Sequence, residues 1–219
     1  MRIVGIRLMI NSKVTNHVLL GFLIFFFATL WSQKSDQSII REDTSQFMTK
    51  FQNKDYDGIL DMTHPAIFEK FDKETLKSLF QKMLEDNEEF QMEIIDTDKI
   101  TFEISEVMKT KDTKYAFVTH PMKMKMTFKN QKFDDSQKEM MVNMMEVQGM
   151  KTKFLNENSL EMSKQSMMIA MNDASTKNQW KYLNYDETNP LYVSVVPVEI
   201  MKKAKNYYAY FLIKNKENA

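Results

Sequence analysis

His120 falls in a run where Ala116, Val118, Met122, Met124, Met126 and Phe128 share its parity, so an imidazole is expected on the apolar face of a strand. An imidazole in a water-poor cavity can act as a general base or as a hydrogen-bond donor. Tyr56, on a short helical stretch, could face the same cavity and offer its hydroxyl. With a carboxylate beside them, the two would make an isomerase- or dehydratase-like site, where a base works next to a donor that stabilises developing oxyanion charge. The matching acids on the first two strands, Asp96 and Glu106, fall at strand ends where solvent is expected. A lone His on an apolar face is more often hydrogen-bonded structure than catalyst, so no residue is given a catalytic role. Trp180 and Tyr182 complete the candidate ligand-binding set of Tyr56, His120, Trp180 and Tyr182. For aromatics at strand spacing, core filling outweighs cavity lining. His64 stands before Pro65 at a helix end, where capping is its plain role.

Methionine is the other unusual donor. The 219 residues include 20 methionines. Met122, Met124 and Met126 alternate, while Met140, Met141, Met144 and Met145 recur at helical spacing. Thioethers select Cu(I), which makes a methionine-rich copper protein one alternative. Each cluster nevertheless follows the period of its own element, as an adaptable core filler does, and that reading is the stronger. A methionine-rich docking surface lies between the two. With no cysteine and only 3 histidines, there are no thiolate nucleophiles, disulfides, iron–sulfur ligands or usual zinc set. No Ser/His/Asp arrangement with a nucleophile elbow can be written. The 4 glycines allow no phosphate-cradling loop or dinucleotide fingerprint. No cofactor and no metal is expected.

A formal net charge of zero gives no footprint for nucleic acid, whose phosphates demand a basic surface. With 43% apolar and 27% charged residues, the composition is that of a globular chain, long enough for one well-buried domain. Residues 1–32 have the form of an export signal. Arg2, Arg7 and Lys13 precede the uncharged run 18–31, which is shorter than the roughly 20 apolar residues of a spanning helix. A cut after Ser32 would leave Leu30 where a small residue is preferred, so a short uncleaved anchor is the alternative to a cleaved signal peptide. The chain is expected outside the inner membrane, periplasmic or extracellular, with membrane contact only through an uncleaved leader.

The remaining elements must position the candidates. Residues 33–42 read as a polar linker and 43–214 as a single α+β domain with a frayed tail over 215–219. Asp43 to Gln46 fit a capping box ahead of a first helix carrying Phe47, Met48 and Phe51. A second helix carries Tyr56, Ile59 and Leu60 and ends at Pro65. In the third, over 72–84, Leu76, Leu79, Phe80, Met83 and Leu84 form one apolar stripe that is expected to be buried. Period-two strands follow from Phe90 and Ile100, then a long one over 114–129 whose Pro121 predicts an edge position or a bulge. An inserted methionine-rich helix spans 134–148 and stops at Gly149. Strands resume over 159–171, where the inward parity shifts between Met162 and Met167, and continue over 179–185 and 191–196. Pro197 opens a closing helix.

Three stretches carry a resemblance: Asn53-Lys54-Asp55-Tyr56-Asp57-Gly58-Ile59-Leu60-Asp61, the helix over 72–84, and Gln179-Trp180-Lys181-Tyr182-Leu183. Helices first, then an antiparallel meander with a late Trp-Lys-Tyr-Leu strand, resembles the nuclear transport factor 2-like superfamily, most of all its exported members from Bacteroidetes-type bacteria. The resemblance implies a cone-like fold, with N-terminal helices packed in a curved antiparallel sheet, to which this chain adds the methionine-rich insertion and a C-terminal helix. It also implies a cavity. Some members are isomerases or dehydratases and many bind without chemistry, and fold alone does not choose between them. An exported, non-catalytic binding domain for a small apolar ligand or a protein partner is the expectation. An enzyme using His120 and Tyr56 is the first alternative.

Overall fold

The computed structural model describes residues 35–85, 87–186 and 195–217. The expected leader, residues 191–194 of the strand expected over 191–196, and residues 218–219 of the tail lie outside them; Val195 and Val196 are not in a strand. Residues from Asp36 onward form one compact unit. Among the described residues it contains five α-helices and a seven-stranded, curved, open antiparallel sheet, an α+β fold.

Helix α1 spans Asp36–Gln52, beginning within the expected linker rather than at residue 43. Ile40 is fully buried and draws the preceding turn into the helix. The Thr44 hydroxyl donates to the Ile40 carbonyl at 2.6 Å, so the residues expected to cap a helix lie inside one. Gln37 and Arg41 anchor the new turn by donating to the carbonyls of Ser105 and Phe102, each at 3.0 Å. Helix α2 (Tyr56–Met62) is capped by Asp55, whose carboxylate accepts from the Gly58 N–H at 2.9 Å. A 3-10 turn, Pro65–Glu69, leads to α3 (Lys73–Leu84), capped by Asp72 through the Thr75 N–H at 2.9 Å.

The sheet is organised around β4 (Thr113–Phe128) and β6 (Ser159–Asn172). They pair without a break from Lys114↔Asn172 to Thr127↔Ser159. Strands β1 (Phe90–Ile95), β2 (Glu103–Ile104) and β3 (Met108–Thr110) line the outer side of β4. Strands β5 (Lys151–Phe154) and β7 (Lys181–Asn184) line that of β6. Pro121 therefore lies without a bulge in a strand that is central over most of its length, at a point where its outer side is locally an unpaired edge. Its place on the outer side of β4 falls between the last β1 partner, Lys123, and the first β2 partner, Thr119, so no ladder there requires an N–H.

Two helical layers cover the sheet. Even-numbered Ala116, Val118, Met168 and Ala170 pack with Ile40, Phe47 and Ile59 of α1 and α2. Odd-numbered Tyr115, Phe117, Met167, Ile169 and Met171 pack with Ile200 and Ala204 of α5 (Val198–Glu217). Both parities are buried over this part of β6. The expected parity shift is thus a second face being covered, with the register unchanged. Toward the other end, Lys123 and Lys125 face outward and pair with Asp96 and Glu93 at 2.9 and 3.9 Å. The opposite face there buries Leu160 and Met162. Phe133 closes the same end, its ring 5.0 Å from Phe128 and 5.5 Å from Phe154.

The inserted helix α4 (Asp135–Val147) has the capping box of Asp134 and Gln137, and Gly149 follows it at φ +76°. None of its residues is buried. The apolar stripe of α3 is not sealed either. Leu84 is buried, but Leu79 and Met83 are 53% and 42% exposed. A cavity lies between this helix and the sheet.

Candidate functional site

The cavity has a volume of about 290 Å³ and lies between α1–α3 and the even-numbered face of the sheet. Its helical wall is aromatic. Phe47 and Phe51 lie one turn apart on α1, with ring centroids 5.1 Å apart, and Phe80 of α3 meets Phe51 edge-on at 5.9 Å. Ile59 and Leu76 fill in between them. The sheet wall is formed by His120, Met122, Lys164, Ser166, Met168 and Tyr182.

His120 is 2% exposed, and neither ring nitrogen has a hydrogen-bond partner. Its ring lies 5.7 Å from that of Phe102. Burial, reinforced by the Lys164 ammonium, lowers its pKa to about 4. The imidazole is therefore neutral near pH 7, with one N–H to donate and one nitrogen to accept. Ser166 is its cross-strand partner, and Lys164 is paired with Met122, two residues farther along the same face. Lys164 is exposed at the rim. Among the described residues, no Asp or Glu side chain lines the cavity.

The sequence candidates divide. His120 and Tyr182 line the cavity; Tyr56 and Trp180 do not. The Tyr182 ring is 6.0 Å from Phe47, and its hydroxyl donates toward Asp43 Oδ2 at 3.3 Å. Burial, with the Asp43 carboxylate next, raises this phenol well above its ordinary pKa, so it remains protonated. Tyr56 and Trp180 are core residues, each 6% exposed. Burial and then Glu85 raise the Tyr56 phenol.

His64 does cap, at the start of the Pro65–Glu69 turn. Its Nδ1 accepts from the Ala66 N–H at 3.3 Å, leaving Nε2–H to donate to Asp173 Oδ2, also at 3.3 Å. Its backbone N–H donates to the Tyr182 carbonyl at 3.0 Å. These bonds hold the loop after α2 against β7 and so fix one side of the cavity. Burial lowers the His64 pKa, against the opposing pull of Asp173.

Met122 and Met168 belong to the cavity wall and Met162 to the core, whereas Met140 and Met144 are 70% and 50% exposed on α4. Among the described residues, no cluster of three or more His, Asp or Glu could hold a metal ion, and no helix is long and apolar enough to cross a membrane. Lys164 and Ser166 were not sequence candidates. Their signal was the parity of β6, which becomes readable only once the His120↔Ser166 register is known. Compared with known proteins, the chain matches no family model and no curated protein.

Proposed function

We propose that this chain is an exported, non-catalytic binding domain that takes a small apolar ligand into the cavity between α1–α3 and the sheet. The observation that carries the reading is an aromatic- and methionine-lined cavity of about 290 Å³ with no carboxylate among the described residues of its wall. Ligand sites are largely apolar concavities with a few fixed polar groups, and burial of apolar ligand surface supplies most of their affinity. The unsealed stripe of α3 has the same sense, since Leu76, Phe80 and Met83 line this space. The composition of the leader supports export. Helices first, followed by a curved sheet that leaves room beneath them, supports membership of the nuclear transport factor 2-like superfamily.

The isomerase- or dehydratase-like alternative finds less support. An imidazole with a pKa of about 4 is far from the near-neutral optimum of a general base, and Tyr56 is outside the cavity wall.

The test is a fluorescence titration of the full-length chain with N-phenyl-1-naphthylamine, an apolar reporter dye. Leu76 is half-buried at the cavity wall, where it packs on the edge of the core, so Leu76→Trp narrows the space. Affinity for the dye is expected to fall about tenfold or more in this variant, equivalent to about 1.4 kcal/mol. Tyr56→Phe is expected to bind as the parent does. Equal binding by Leu76→Trp and the parent, or no binding at all, would refute the proposal.

A further inference from the structure

We infer that the ligand is a monocarboxylate: a compact apolar body under α3, with its carboxylate held at the sheet wall by Lys164, Ser166 and His120. This rests on the cavity being a binding site and adds the chemical class of what it binds.

Three observations converge. The first is the unpartnered His120 ring, buried and lining the cavity. An apolar core side chain of similar shape would avoid the penalty of two unmade hydrogen bonds, so a ligand atom is the natural partner for the ring N–H. The second is placement. Paired residues across an antiparallel ladder have Cα atoms about 4.5–5.5 Å apart, and alternate residues along a strand lie about 7 Å apart on one face. His120, Ser166 and Lys164 occupy such neighbouring positions. One carboxylate between them is within reach of the imidazole N–H, the Ser166 hydroxyl and the flexible Lys164 ammonium. The third is charge. Among the described residues, Lys164 is the only ionised side chain in the cavity wall, and it forms no salt bridge. A cationic head would meet it unopposed, and a neutral head would leave its charge unused. The size also fits. The cavity has the liquid volume of about ten water molecules, which suits an acid of roughly eight carbons.

The orientation follows from exposure. Lys164 stands at the rim, while Phe47, Phe51 and Met168 lie inward. The carboxylate stays next to water and the apolar body goes inside, which avoids burying an uncompensated charge.

The experiment is calorimetric titration of the full-length chain with octanoate, 1-octanol and octylammonium, three probes with the same body and different heads. Octanoate is expected to bind about tenfold more tightly than 1-octanol, a modest preference because Lys164 is exposed and its attraction screened. Octylammonium is expected to bind weakest. In Lys164→Met, which keeps the length of the side chain and removes its charge, octanoate should lose that preference. Its 1-octanol affinity should stay within about threefold. Equal binding of octanoate and 1-octanol by the parent, or a preference that survives in Lys164→Met, overturns the carboxylate assignment and leaves the apolar site standing. If none of the three probes binds, both conclusions fall together.

Discussion

Replacing His120 with Phe should change how the protein responds to acid. The imidazole is 2% exposed with both nitrogens unpartnered, and its pKa is lowered from 6.5 to about 4. The unfolded chain takes up a proton on this ring below about pH 6.5, whereas the folded chain does not until about pH 4. Across that window the unfolded state binds more protons, so stability falls as pH falls. At about 1.36 kcal/mol per unit, lowering the pH from about 7.5 to 4.5 removes about 2.5 kcal/mol through His120 alone. Phe keeps an aromatic ring against Phe102 and has no proton to gain. At neutral pH, His120→Phe should be more stable by about 1 kcal/mol, because buried polar atoms without partners are removed. At acid pH the gap should widen by about 2.5 kcal/mol. His64 and the carboxylates titrate in both proteins and cancel in the difference. Urea unfolding curves of the two proteins at both pH values measure the gap. Parallel loss of stability in parent and variant would refute the description of His120 as a neutral, unsolvated ring.

Two further outcomes are expected. Gly149→Ala should destabilise the protein by roughly 1 kcal/mol, visible as a lower thermal midpoint. Gly149 has φ +76° with no atom within 4 Å of an added Cβ, so backbone strain alone is at work. Tyr182→Phe should cost about 0.5–1.5 kcal/mol in urea unfolding by removing the hydroxyl that reaches Asp43 and Ile40, while its ring and the cavity wall remain.

The sequence made strong periodic elements readable and weak ones not. α3, α4, β4 and β6 lie where spacing and capping residues place them, because Asp72, Asp134 and Gly149 are local signals that need no tertiary partner. The alternation of Ile100, Phe102 and Ile104 suggested a full strand, yet only Glu103–Ile104 pair with β4. All three side chains pack against the core, and alternation reports that burial rather than a hydrogen-bonded ladder. The short β3 and β5 were unreadable for the converse reason, since Lys109, Lys151 and Lys153 dilute any apolar pattern. His120 and Tyr182 were recognisable as cavity candidates from parity. The helical wall of Phe47, Phe51 and Phe80 looked like ordinary core, and Lys164 looked like an ordinary surface residue. What joins them is long-range pairing, which no local window contains.

The two-sided burial of β4 and β6 has a consequence for how these strands find each other. Where both faces are greasy, sliding one strand past the other by a single residue exchanges one oily side for another and meets little penalty. At the opposite end, the same slip would drive Lys123 and Lys125 in among Leu160 and Met162. The information that locks the alignment, and with it the meeting of His120 and Ser166, therefore resides in the half of the sheet that is less well covered.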